Sequence, residues 1–148
     1  RGFTLLELMV VVALIAISTA VVSLTIPDPS ATRLEREAVR LAAILESTRA
    51  QARAGAMTVV WLPQPKGPDI DYQFIGLPDA LMPSLRWDDR DVQASVIGST
   101  SIVLGPEPVI GAQSVVLRLE DRQMVIRTDG LSPFALANES DESDGGAP

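Results

Sequence analysis

The chain has 148 residues, with 12 Lys plus Arg against 19 Asp plus Glu, a net charge of −7, and neither histidine nor cysteine. Those absences exclude Ser-His-Asp and Cys-His nucleophiles, imidazole or thiolate metal sites and any disulfide framework. With Lys66 the one lysine, a carboxylate pair is the main catalytic option left, and 4% aromatic residues give little surface for stacking a sugar, so no enzyme is expected.

Apolar residues make up 47% of the chain and mean hydropathy is +0.24, high for a soluble domain, so they should be concentrated. They are. No charged side chain occurs between residues 8 and 27, and the apolar run starts at Phe3. As helix, residues 3–26 would measure about 36 Å, enough to cross a bilayer core of about 30 Å with some tilt. A secretory signal peptide fits poorly, because its apolar region is shorter and a small-residue cleavage site follows it. Glu7 breaks the run. An ionised carboxylate near the middle of a membrane helix costs roughly 2.5–3.5 kcal/mol, less near its ends, so a charge there calls for a partner. A new amino terminus at Phe3 would place an ammonium four residues before Glu7.

The run Arg1-Gly2-Phe3-Thr4-Leu5-Leu6-Glu7-Leu8 resembles the processing site of type IV pilins and type II secretion pseudopilins. The resemblance implies that a prepilin peptidase cuts between Gly2 and Phe3, that Phe3 is N-methylated, and that Glu7 pairs with the N-terminal amine of an adjacent subunit during assembly.

Pro27-Asp28-Pro29 should interrupt the helix, with Ser30 as the N-cap of a second one. There Leu34, Ala38, Leu41, Leu45, Thr48 and Ala52 form one stripe to bury. Arg33, Arg36, Glu37, Arg40, Glu46, Arg49 and Arg53 are expected on the remaining surface, and Gly55 as the stop. Beyond Gly55 the period changes. Residues 57–62, 72–75, 92–96 and 101–104 read as short strands between Gly- and Pro-rich loops. Val115, Leu117 and Leu119 share a face, Glu120-Asp121-Arg122 turns, and Met124 and Ile126 return. Asp129-Gly130 makes the next turn and 132–136 a last strand.

The expected fold class is therefore α+β: a long N-terminal helix, membrane half plus amphipathic half, packed on a C-terminal β-sandwich-like domain of two small antiparallel sheets. The boundaries are 1–2 for the end of a leader, 3–27 for the membrane and assembly helix, and 28–55 for the amphipathic helix. The β-rich domain takes 56–137, and 138–148 form an acidic tail read as disordered. Asp88, Asp89 and Asp91, like Asp69 and Asp71, lack the length and glycine pattern of a calcium loop. They read as solvated acidic loops, and no metal or other cofactor is expected.

Residues 37–52, Tyr72-Gln73-Phe74, Leu85-Arg86-Trp87, Leu104-Gly105-Pro106-Glu107-Pro108 and Thr128-Asp129-Gly130-Leu131-Ser132-Pro133-Phe134 are similar to the H-type minor pseudopilins of the type II secretion system. That resemblance implies a structural protein of the inner membrane, single-pass, its C-terminal domain in the periplasm. It would be incorporated near the tip of the pseudopilus that helps export folded proteins across the outer membrane. Its partners would be other pseudopilins, major and minor, and the prepilin peptidase. A minor pilin of a type IV pilus, with a DNA-uptake role, shares the same N-terminus. The acidic tail speaks against nucleic acid as a partner, leaving Arg118, Arg122 and Arg127 as the candidates for a basic patch.

Overall fold

A computed structural model describes residues 2–24 and 28–137. Helix α1 (Leu5–Leu24) is followed by α2 (Pro29–Ala54) and seven strands: β1 (Val60–Leu62), β2 (Gln73–Ile75), β3 (Gln93–Val96), β4 (Ile102–Val103), β5 (Gln113–Leu119), β6 (Arg122–Thr128) and β7 (Ala135–Leu136). All pairings are antiparallel and build two sheets, one ordered β2-β1-β4 and the other β3-β5-β6-β7. The α+β class with two small antiparallel sheets is thus observed. Several strands are shorter than their apolar runs, because Met57 and Thr58, Ser101 and Leu104, and Ser132 to Phe134 lie outside the ladders. The expected acidic tail over 138–148, Arg1, and the end of the membrane segment over 25–27 lie outside the described residues.

The stripe on α2 is buried as its spacing requires: Leu34, Ala38, Leu41, Leu45, Thr48 and Ala52 all face inward. They meet Val115, Leu117, Leu119 and Ile126, which project from one face of the larger sheet. Each fully buried Leu or Ile there stabilises the fold by about 1.5–3 kcal/mol relative to exposure. Under the smaller sheet lies an aromatic cluster, with Tyr72 at 5.9 Å from Trp61, 6.2 Å from Phe74 and 4.7 Å from Trp87, ring centroid to centroid. The Tyr72 hydroxyl donates to the Ser84 carbonyl at 2.7 Å, and burial pushes its pKa up to about 12.

Two expectations are corrected at the start and on the flank of α2. Asp28, not Ser30, is the N-cap. Its Oδ1 accepts the Ser30 N–H at 2.9 Å, and Pro29 stands at the first helical position, where a missing N–H costs nothing. Ser30 instead donates its hydroxyl to Glu120 Oε2 at 2.6 Å. Arg122 donates to Asp28 Oδ2 from both Nε (2.8 Å) and Nη2 (2.7 Å), so the helix start is tied to the β5–β6 hairpin. Arg122 belongs to β6 and pairs with Leu119, leaving Glu120 and Asp121 as the turn. On the flank, Glu37 and Arg49 are buried, not part of the polar surface.

The segment expected to enter the membrane is helical from Leu5 to Leu24. The part of α1 whose side chains are described ends at Ala20, which is about 24 Å of helix from Leu5. Among the described residues, no helix is long and apolar enough to cross a membrane.

Candidate functional site

The N-terminal segment is built for contact with something other than its own domain. Thr4 Oγ1 accepts the Glu7 N–H at 3.2 Å, and the Thr4 carbonyl accepts the Leu8 N–H at 3.2 Å, so Thr4 caps α1. Glu7 then lies in the first turn, where the helix dipole favours a carboxylate. Its side chain is exposed and has no hydrogen-bond or ion-pair partner among the described residues.

Around it the helix is apolar on every side. Phe3 is 81% exposed and Leu5 78%, and large apolar side chains stay exposed through Ile17. A helix apolar all round is normally buried in protein or lipid, and a patch this extensive marks an interaction surface. Ser18 and Thr19, the polar exceptions, donate their hydroxyls back to the Leu14 and Ile15 carbonyls at 2.8 Å each. This satisfies both donors within the helix, as apolar surroundings require.

The globular part is locked by two side chains of α2 that periodicity assigned to the surface. Glu37 Oε1 accepts the N–H groups of Asp88 (2.6 Å) and Asp89 (3.3 Å), while Oε2 faces Arg40 at 3.4 Å. Arg40 continues the network to Asp88 Oδ1 and to the Arg86 carbonyl, both at 2.6 Å. Burial raises the Glu37 pKa; the two N–H bonds and Arg40 pull it the other way.

At the other end of the helix Arg49 donates to the Gly130 carbonyl at 2.6 Å and the Ser132 carbonyl at 3.1 Å. The turn it holds is also fastened from within. Asp129 Oδ1 accepts the N–H groups of Leu131 (2.8 Å) and Ser132 (2.6 Å), which hold its carboxyl below the usual carboxylate range.

The acidic loops are occupied by arginines and backbone. Asp89 binds Arg33 at 2.7 Å, Asp69 lies 3.2 Å from Arg86, and Asp71 accepts the Trp87 N–H at 2.7 Å. Among the described residues no group of three or more His, Cys, Asp or Glu could hold a metal ion. Nor do the three candidate arginines of a basic patch share a face: Arg118 and Arg127 lie opposite Gln123 and Ser114, whereas Arg122 lies opposite the buried Leu119 and is bound to Asp28.

Gly2 and Phe3 precede α1, and Glu7 stands in its first turn. Sequence reasoning missed Glu37 and Arg49, although each stands three or four residues from members of the buried stripe (Leu34 and Leu41; Leu45 and Ala52), which was the available signal.

Residues 1–23 match the family model described as the prokaryotic N-terminal methylation motif. This motif is typical of type IV pilin-like proteins, pseudopilins among them, and implies peptidase processing and assembly with other pilin-type subunits. The chain therefore carries a type IV pilin-like N-terminus. No curated protein and no solved structure matches it.

Proposed function

We propose that the protein is a structural minor pseudopilin of the type II secretion system, of the H type. The observation that carries the reading is the joint one at the N-terminus: a methylation motif over residues 1–23 coincides with a helix whose large apolar side chains stay exposed from Leu5 through Ile17. Cleavage after Gly2 frees the Phe3 amine for methylation. The sequence carries no charge from residue 8 to residue 27, and together with the exposed apolar side chains of α1 this supports a single-pass anchor in the inner membrane with the β-rich domain in the periplasm.

In that setting Glu7 drives assembly. An unpaired carboxylate in hydrocarbon is costly, and docking the N-terminal ammonium of a neighbouring subunit lowers that cost while setting the axial register of the two helices. The rest of α1 then packs against neighbouring helices as the subunit leaves the bilayer for the pseudopilus. The protein acts by packing and needs neither an active site nor a cofactor.

The test is the extracellular protein profile of a strain lacking the gene, with surface pili and DNA uptake scored in parallel. Loss of secreted proteins with pili unchanged is the expected result. Intact secretion with pili or uptake lost would overturn it in favour of a minor pilin of a type IV pilus.

A further inference from the structure

The four sheet edges of the domain are not treated alike. On β4 the outward-facing residue is Val103, and both of its backbone groups are taken by one side chain: Gln113 Oε1 accepts its N–H at 2.7 Å, and Gln113 Nε2 donates to its carbonyl at 2.9 Å. On β2 the ladder leaves only Phe74 facing out, since Tyr72 donates its N–H to the Leu85 carbonyl. On β7, two residues long, only Leu136 faces out. Short strands and side-chain plugs are the usual means of keeping an edge from pairing with another chain.

Strand β3 has neither. The Ile97 N–H donates to the Ser114 carbonyl at 3.0 Å, which fixes the phase of the β3–β5 ladder. Gln93, Ser95 and Ile97 turn their backbone groups toward β5, and Ala94 and Val96 turn theirs away. Each of these two therefore presents a donor and an acceptor, with no partner among the described residues. From Val92 to Gly98 the chain contains no charge and no proline, the residues that ordinarily guard an edge. The side chains of Ala94 and Val96 are half-buried at the margin of the core, where apolar groups of an added strand would cover them.

The chemistry of the missing strand is set by the other face of the same sheet. There β3, β5 and β6 carry Arg118 and Arg127 and no carboxylate, in a chain of net charge −7. Arg118 lies opposite Gln93, is exposed, and has no ion-pair partner among the described residues. An added strand at about 4.8 Å from β3 puts its outward side chains within reach of that guanidinium. A second copy of β3, being uncharged, offers nothing to it.

We infer that the free edge of β3 receives an extended segment of another protein chain, paired through Ala94 and Val96, with apolar side chains toward the core and acidic side chains toward Arg118. This is strand addition, in which main-chain bonds supply affinity and alternate side chains supply selectivity.

The test uses the full chain in detergent micelles and a seven-residue peptide, blocked at both ends, that alternates valine and glutamate. Amide exchange at Ala94 and Val96, followed by NMR, should slow by on the order of tenfold at saturating peptide, while exchange in α2 stays unchanged. Ala94→Pro, which removes an outward N–H and none of the donors turned toward β5, should abolish the slowing at Val96, and Arg118→Glu should weaken binding several-fold. No slowing at these two amides, or slowing elsewhere only, would overturn the site. Equal binding of a valine–lysine peptide, or unchanged binding in Arg118→Glu, would overturn the acidic assignment.

Discussion

Arg49, 1% exposed, donates to the carbonyl of Gly130 at 2.6 Å across 81 residues of sequence. It joins the last turns of α2 to the Asp129–Ser132 turn and lies 3.5 Å from the Glu46 carboxylate. Burying a guanidinium is costly unless it is hydrogen-bonded; Nη1 and Nη2 are met by these carbonyls, while Nε has no partner among the described residues. Replacing Arg49 by Met should destabilise the protein by about 1.5–3 kcal/mol, because the buried Gly130 carbonyl loses its charged donor, the Ser132 carbonyl keeps only Thr128, and Glu46 loses its ion pair. Urea unfolding of the full chain in micelles measures this. Arg49→Lys should recover little, since an ammonium cannot span two carbonyls as the guanidinium fork does.

The same turn explains why residue 130 is glycine. Its φ is +94°, and a Cβ built there would stand 1.7 Å from the Ile110 carbonyl oxygen, so Gly130→Ala must push the 109–111 segment away as well as strain the backbone. Gly67, at φ +87°, has nothing within 4 Å. Its alanine variant should show the conformational cost alone, about 1–2 kcal/mol. A Gly130→Ala variant as stable as Gly67→Ala would show that the Ile110 segment yields freely; thermal unfolding of both variants decides it.

What was legible in the sequence follows from period. The stripe from Leu34 to Ala52 and the inward faces of β5 and β6 were readable because one face of each element is apolar and the other polar. Glu37 and Arg49 were misplaced because polarity was used as a proxy for exposure, whereas their partners, the 88–89 amides and the 130 and 132 carbonyls, lie 51 to 83 residues away. The N-cap was misassigned between two residues that both make good caps; the tie from Arg122 to Asp28 that accompanies the observed cap is again long-range. At the N-terminus the reverse holds. Methylation motif, cap and apolar helix are all local, so they could be read without the fold.

Glu37 gives the pH dependence a definite sign. Burial raises its folded-state pKa above the ordinary 4.5, so the folded state binds a proton more readily than the unfolded chain. Its contribution is then present in full below about pH 4.5 and is lost as pH rises through the folded value. Glu37→Gln removes the titration. The stability of the variant relative to the parent should therefore increase as pH is raised through that window, as read from urea midpoints between pH 4 and pH 8. Asp129, whose carboxyl is held low by the Leu131 and Ser132 amides, works in the opposite direction and at lower pH. Its contribution is present above about 3.8 and disappears below that as the turn is protonated. A Glu37→Gln variant whose stability relative to the parent falls as pH rises would refute the burial argument.

Glu7 carries the prediction for assembly. It has no partner among the described residues of its own chain, and it stands where the helix dipole already tolerates a carboxylate. Glu7→Ala should therefore leave α1 helical and, in the proposed setting, should insert in the membrane at least as well as the parent, because it removes a charge from hydrocarbon. What should fail is the next step. Without a carboxylate to receive the N-terminal ammonium of a neighbour, the subunit has no polar contact to set its axial register. Membrane fractionation should give the same amount of protein for variant and parent, while cross-linking to other subunits and secretion of exported proteins fall together. Glu7→Asp separates charge from reach: it keeps the carboxylate but shortens the side chain by one methylene, so partial assembly is expected. Normal secretion with Glu7→Ala at native expression would refute the pairing role, and loss of the protein from the membrane fraction would show that Glu7 acts in insertion instead.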